Sequence, residues 1–160
     1  MSDEFLFNNG IKIATTQCDH SDFVSIVPVE LKGREYPWDK ERILEELKDD
    51  NKNSIRTTLN YKCQAWCLFS VKNGDIDIER LAVKNETLLH DVLDSMFNTL
   101  TFTPKKQKCV VTTDWPEYAT DHWLFKYLLG TDWQTEGLIR DKYEAYGERW
   151  DGIKLVRVFS

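Results

Sequence analysis

Three consecutive segments restrict the topology of this chain more than any other feature. Ile76 to Val83 alternates at first (Ile76, Ile78) and then becomes wholly apolar at Leu81-Ala82-Val83. That is the pattern of a strand passing into a buried centre. Leu88, Leu89, Val92, Leu93, Met96, Phe97 and Leu100 follow at spacings of one, three and four, the broad stripe of an amphipathic helix. Thr87 is its expected N-cap. Cys109 to Thr113 is β-branched and reads as a second strand. A helix between two strands forces a crossover, so the two strands are expected to be parallel neighbours or near neighbours.

The remaining elements can pair as antiparallel hairpins around that unit. Gly10 to Ala14 alternates as a first strand, and a helix is expected from about Ser21, bent or ended by Pro28. Asp39 caps a second helix with Glu41 in its first turn and Ile43, Leu44 and Leu47 as its buried side. Ile55 to Tyr61 and Gln64 to Val71 read as strands around a tight turn at Tyr61-Lys62-Cys63, and Asn73-Gly74 is a hairpin signal. Pro104 closes the region after the central helix. Asp114-Trp115-Pro116-Glu117 reads as a capping box opening a helix that Gly130 stops. Strands near Glu136 to Tyr143 and Ile153 to Phe159 close the chain around a turn at Asp151-Gly152. The expected order is β-α-α-β-β-β-α-β-α-β-β. It describes one α/β (α+β) domain over residues 1–160, with a mixed central sheet of about seven strands and helices on both faces.

Composition removes several function classes. With 41% hydrophobic and 30% charged residues the chain is ordinary globular material, not disordered or fibrous. No apolar run approaches a membrane span. The acidic start Met1-Ser2-Asp3-Glu4 lacks the basic region of a secretory signal. A net charge of −6 disfavours general nucleic-acid binding, and the short cluster Lys105-Lys106-Gln107-Lys108 reads as a solvated turn. Cys18, Cys63, Cys67 and Cys109 form neither a C-x-x-C pair nor a zinc-type array, so no metal is expected. They read as reduced thiols of a soluble cytoplasmic protein.

Three stretches carry a resemblance over nearly the whole chain. Glu30 is followed by Tyr36-Pro37-Trp38-Asp39-Lys40-Glu41; Ile78-Glu79-Arg80 ends in Leu81-Ala82-Val83; and Trp133 to Phe159 contains Arg140-x-x-Tyr143, a polar turn and an alternating strand. Together with the element order, these are similar to the GNAT superfamily of N-acetyltransferases, in style closest to the ribosomal-protein alanine N-acetyltransferases. The resemblance implies a GNAT fold, acetyl-CoA as cofactor and an amine as acceptor. It also implies that backbone groups near Leu81 and Val83 hold the pantetheine arm, and that the helix start at Leu89, His90, Asp91 and Leu93 faces the pyrophosphate.

The resemblance breaks just after Val83. The family continues with an Arg and a glycine-rich turn whose N–H groups bind the pyrophosphate. Here Leu88 stands in place of the Arg, and Leu89, Asp91 and Leu93 stand in place of the small residues. Asp91 adds a carboxylate that would repel phosphate by about 1–4 kcal/mol per charge pair. The apolar stripe reaches the helix start, so Leu89 or Leu93 is expected to be buried at the pyrophosphate position, with Thr87 or Asp91 serving the free N–H groups. The places of a family Glu and Asn on and after the next strand fall near Thr112 and Glu117. The family's general-acid tyrosine falls within Trp123 to Gly130, where Tyr127 is the residue able to donate a proton.

Glu79 is the candidate general base, with Tyr127 and then Tyr143 as candidate acids. His90 reads as a surface histidine, and His20 and His122 show no partner in sequence. Trp38 and Trp150 fall near loops on the acceptor side of the resemblance. The favoured expectation is a degenerate acetyltransferase acting as a binding or regulatory module, with no cofactor. The alternative is an active N-acyltransferase with a remodelled acetyl-CoA site. The expected partner is an unknown protein or a small-molecule amine, and the sequence leaves the oligomeric state open.

Overall fold

The computed structural model describes residues 3–6 (as backbone), 12–87, 89–102 and 108–160. Gly10 and Ile11 of the first expected strand, Leu88, Pro104 and Lys105 to Gln107 therefore lie outside the described residues. The strands are β1 (Asp3–Leu6), β2 (Lys12–Gln17), β3 (Asn53–Leu59), β4 (Lys62–Lys72), β5 (Asp75–Val83), β6 (Cys109–Pro116), β7 (Gln134–Ala145) and β8 (Glu148–Phe159). The helices are α1 (Phe23–Gly33), α2 (Lys40–Lys48), α3 (Leu89–Leu100) and α4 (Trp123–Leu129). Among the described residues, eight strands form one mixed sheet in the order β1-β2-β3-β4-β5-β6-β8-β7. The seven expected strands are present, and β1 adds an edge strand.

Alternation along β4 divides the core between the two faces. Ala65 and Cys67 point to one face, where they join α3, α4, Val111 and Leu155. Trp66 and Leu68 point to the other and pack with Ile26 and Val29 of α1 and Ile43 of α2. As the crossover argument requires, β5 and β6 are parallel neighbours.

Local signals decided the rest, with three corrections. Asp39 caps α2 by accepting from Arg42 N at 2.8 Å, and Asn73-Gly74 turns with both φ angles positive. Of the two expectations for Pro28, ending α1 is not met, since the helix continues through it; the carbonyl that loses its donor belongs to Val24, an exposed residue. The β3–β4 turn is centred on Asn60-Tyr61, both at positive φ, not on Tyr61 to Cys63. Asp114 does not open a helix. Pairing with β8 carries β6 through Pro116, and α4 starts at Trp123, where His122 Nδ1 accepts from Leu124 N at 3.1 Å. The last hairpin turns at Tyr146-Gly147 (φ 56° and 75°), while Gly152 sits within β8 opposite both Ile139 and Pro116.

Candidate functional site

The site begins with one extra residue in β5. Leu68 of β4 pairs with Arg80 and Phe69 pairs with Ile78, so Glu79 is a bulge. The bulge changes which face the following residues meet. Ile78, Leu81 and Val83 all join the α3–α4 core, while Ala82 joins the α1–α2 core and Arg80 reaches Glu30 of α1. The bulge also marks the end of sheet pairing on the other side. β5 and β6 are paired from Ile76–Val111 to Ile78–Thr113, and then they separate.

The end of α1 fills the resulting opening. Gly33 packs so closely on β5 that a methyl group at its position would lie 2.4 Å from Val83 O. Arg34 follows and spans the gap. Its Nη1 donates to Leu81 O on β5 at 2.8 Å, and its guanidinium lies 4.2 Å over the ring of Trp115 on β6. Beside it, the carboxylate of Glu30 is wholly buried. It accepts from Trp38 N at 2.8 Å, from Trp66 Nε1 at 3.2 Å and from Arg80 through both Nε and Nη2. Glu30 and the Tyr36-Pro37-Trp38 segment are therefore linked by a hydrogen bond that fixes the chain between α1 and α2. Burial, with Arg80 close by, pushes the Arg34 guanidinium down to about 9.

A cleft of about 670 Å³ opens beside this network, between the α1–α2 link and the β7–β8 hairpin. Tyr36, Trp38, Tyr118 and Tyr143 supply its aromatic wall. The hairpin leans on the link through Tyr146, whose ring centroid is 5.2 Å from that of Tyr36 and 5.8 Å from that of Tyr118. Trp38 lines the cleft and also packs edge-on against buried Trp66 at 6.1 Å. Trp150 backs it, stacked edge-on against Tyr118 at 5.8 Å.

The three candidate catalytic residues divide between two places. Glu79 and Tyr143 face the large cleft. Glu79 is tied to Lys52 at 2.8 Å, and Tyr143 donates to Asp114 O at 3.1 Å. Burial raises the Tyr143 phenol to about 12, so it is a weak acid there. Tyr127 lies elsewhere, on α4, with its hydroxyl 2.8 Å from Nδ1 of His90 on α3. Thr112 donates to Asp77, and Glu117 is exposed on the short turn after β6. Sequence reasoning missed Arg34, Arg42, Arg149 and Tyr118. Only Gly33, a glycine at the end of a helix and next to an arginine, could have drawn attention to that corner.

At the start of α3, Leu89 and Leu93 are buried in the core, 7% and 1% exposed, and Leu89 N donates to Glu86 O at 3.3 Å. Asp91 is half-buried and His90 exposed. The dent outside, about 600 Å³, is lined by Glu86, Leu89, His90, Trp123, Lys126 and Tyr127. The fit to coenzyme A is poor at both ends. Leu81 O already has a donor, Val83 is covered by Gly33, and Glu86 adds a carboxylate to the dent that would repel phosphate charge. Among the described residues, no cluster of His, Cys, Asp or Glu is arranged to hold a metal ion, and no helix is long and apolar enough to cross a membrane.

No protein-family model matches the chain, and no curated protein does. Solved structures do match. The ribosomal-protein alanine N-acetyltransferase from Escherichia coli is 14% identical, with a TM-score of 0.69 over 92% of this chain and 94% of that one. A probable acetyltransferase from Staphylococcus epidermidis is 13% identical, with a TM-score of 0.68 over 92% and 99%. A mutant of the spermidine N-acetyltransferase of Vibrio cholerae is 7% identical, with a TM-score of 0.64 over 91% and 93%. The chain has the GNAT acetyltransferase fold.

Proposed function

We propose that this chain is a GNAT-fold binding or regulatory module that does not carry acetyl-CoA in the manner of the superfamily. The observation that supports this most directly is Arg34, which touches Leu81 O on one strand and the Trp115 ring on the other. It stands between the two strands whose separation defines the cofactor cleft of the fold. For a pantetheine arm to use Leu81 O, Arg34 must give up its hydrogen bond there. A charge-assisted hydrogen bond of this kind contributes about 1.5–3 kcal/mol, a large share of the roughly 8 kcal/mol behind a micromolar affinity. Calorimetric titration with acetyl-CoA tests this reading. The expected result is no saturable binding in the micromolar range; a micromolar dissociation constant would overturn it.

A second reading is favoured by the large cleft itself. The names of the similar structures mark a protein alanine and spermidine as acceptors, both amines. Glu79 and Tyr143 face a cleft that could admit an amine. On that reading the chain is an N-acyltransferase with a remodelled cofactor site. Glu79 would accept the amine proton, and Tyr127 or Tyr143 would donate to the leaving group. Glu79→Gln, Tyr127→Phe and Tyr143→Phe should then lower acetyl transfer, followed by mass spectrometry, without unfolding the protein. Full turnover in all three would end that assignment.

A further inference from the structure

The buried charges do not cancel. Among the described residues, Glu30, Arg34 and Arg80 are the buried charged side chains. Glu30 is committed to Arg80 through paired hydrogen bonds. Arg34 is then left with a neutral carbonyl and a ring face, and among the described residues no carboxylate lies within ion-pair distance of it. A buried guanidinium without a counter-ion is unfavourable for folding alone. Charge held in that way is more common at sites that bind something.

Arg34 lies just behind the cleft: its guanidinium sits on the Trp115 ring, and the cleft residue Tyr143 donates to the carbonyl of the adjacent Asp114. Tyr118 and Tyr143 line the cleft, and burial raises both phenols; in each, Arg34 is the largest influence in the opposite direction. Arg34 itself is not on the cleft wall, but two other guanidiniums are. Arg42 stacks over Trp38 at 4.0 Å, and Arg149 donates to Asp141 O at 3.3 Å. Among the described residues, neither has a carboxylate within ion-pair distance. The cleft lysines differ, since Lys52 holds Glu46 and Glu79, and Lys142 holds Asp114. Of the four lining acids, Lys142 neutralises Asp114, while exposed Glu79 shares the single charge of Lys52 with Glu46 and Asp49. Asp77 accepts from Thr112, and both Asp77 and Glu144 are exposed, where water and salt screen them. The deepest unpaired charge is therefore positive, and burial keeps it unscreened.

We propose that this cleft is an anion site for a small carboxylate ligand, drawn in by the unpaired charge of Arg34 and held at the rim by Arg42 and Arg149. A planar carboxylate matches a guanidinium fork, and Trp38 and Tyr36 offer faces for the carbon skeleton. The amine-binding alternative requires the opposite sign of charge at the same place. The proposal rests on reading the chain as a binding module, and the two fail separately: calorimetry with acetyl-CoA decides that reading whichever ion the cleft prefers.

Thermal unfolding at fixed ionic strength, with three probes of similar length, tests the sign. The probes are glutarate, neutral glutaramide and 1,5-diaminopentane. Glutarate is expected to raise the melting temperature saturably, and the other two to leave it unchanged. Arg42→Gln with Arg149→Gln changes two exposed side chains, so the ligand-free protein should melt near the wild-type temperature. Its glutarate affinity should fall by about tenfold or more. Stabilisation by the diamine and not by glutarate would overturn the proposal. So would no response to glutarate, or a glutarate response undiminished in the double variant.

Discussion

Glu30→Gln removes one negative charge and almost no volume from the centre of the α1–β5 interface. In the wild-type protein this carboxylate is 0% exposed and accepts from Trp38 N, Trp66 Nε1 and Arg80. The amide can accept through one oxygen only, and its NH₂ group must face a donor. Arg80 and Arg34 are then both buried without a counter-ion. Breaking a buried pair from one side costs about 3–5 kcal/mol, out of a total stability of roughly 5–15 kcal/mol. For a chain of this size each kcal/mol moves the melting temperature by about 2–4 °C, so a fall of about 6–20 °C is expected. Urea unfolding followed by tryptophan fluorescence suits the measurement, because Trp38 and Trp66 both touch the altered group. Glu30→Asp keeps the charge but not the reach and should fall between the two. A loss below about 1 kcal/mol in Glu30→Gln would refute the claim that this pair organises the interface.

Other outcomes follow from single contacts. Gly33→Ala puts a methyl group 2.4 Å from Val83 O with backbone on both sides; it should cost about 1–3 kcal/mol in urea unfolding, and no loss would mean that α1 is free to move off β5. The His122 ring is held neutral, down to about 4, by burial and then by Arg34. Unfolding lets it protonate near the ordinary value of about 6.5. Stability should therefore be complete above about pH 6.5 and decline as the pH falls towards about 4, by about 1–2 kcal/mol for a half-buried ring; a flat profile in wild type, or the same slope in His122→Asn, counts against it. All four cysteines are free, and burial pushes the Cys18, Cys63 and Cys67 thiols up. A colorimetric thiol reagent should therefore react slowly with native protein and count four thiols after denaturation, and a smaller count would reveal a disulfide.

The parts of the fold that sequence reasoning reached are those written in one segment. The stripe from Leu89 to Leu100 and the crossover around it need no distant information. Asp39 and Asn73-Gly74 act on their own neighbours. The errors share a physical cause, a local signal overruled by a distant strand. Asp114 to Glu117 has the spacing of a capping box, yet Asp114, Trp115 and Pro116 pair with Lys154, Ile153 and Gly152 of β8. Asp151-Gly152 has the composition of a turn, but the same pairing, and that with Ile139, holds Gly152 in a strand. Tyr146-Gly147 then supplies the turn, although a tyrosine at φ 56° is a poor local signal. Arg34 lies beyond any such reading. Its role depends on a bulge at Glu79 and a ring at Trp115, both far away in sequence, and on the nearby carboxylate of Glu30 being taken by the distant Arg80.

The value of Arg34 can be separated into volume and charge. If it stays in the β5–β6 gap only to fill space, an unbranched apolar side chain of similar length should serve as well. Arg34→Met is that change. It keeps most of the contact with the Trp115 ring, and sulfur packs acceptably on aromatic faces. It removes the hydrogen bond to Leu81 O, a loss of about 1–3 kcal/mol if that carbonyl stays buried and unpaired. It also removes the desolvation of a charge that has no carboxylate, and replacing buried charge by well-packed apolar volume returns about 1–4 kcal/mol. The two terms nearly cancel, so Arg34→Met should be within about 1 kcal/mol of wild type in urea unfolding. In the same variant the response of the melting temperature to glutarate should shrink, because the positive charge behind Tyr118 and Tyr143 is gone. A destabilisation well above about 3 kcal/mol would mean that Arg34 is a structural strut whose charge the fold itself requires. Wild-type stability with an unchanged glutarate response would show that its charge serves neither folding nor the cleft. Near-wild-type stability with a lost response is the outcome that the buried surplus of charge predicts.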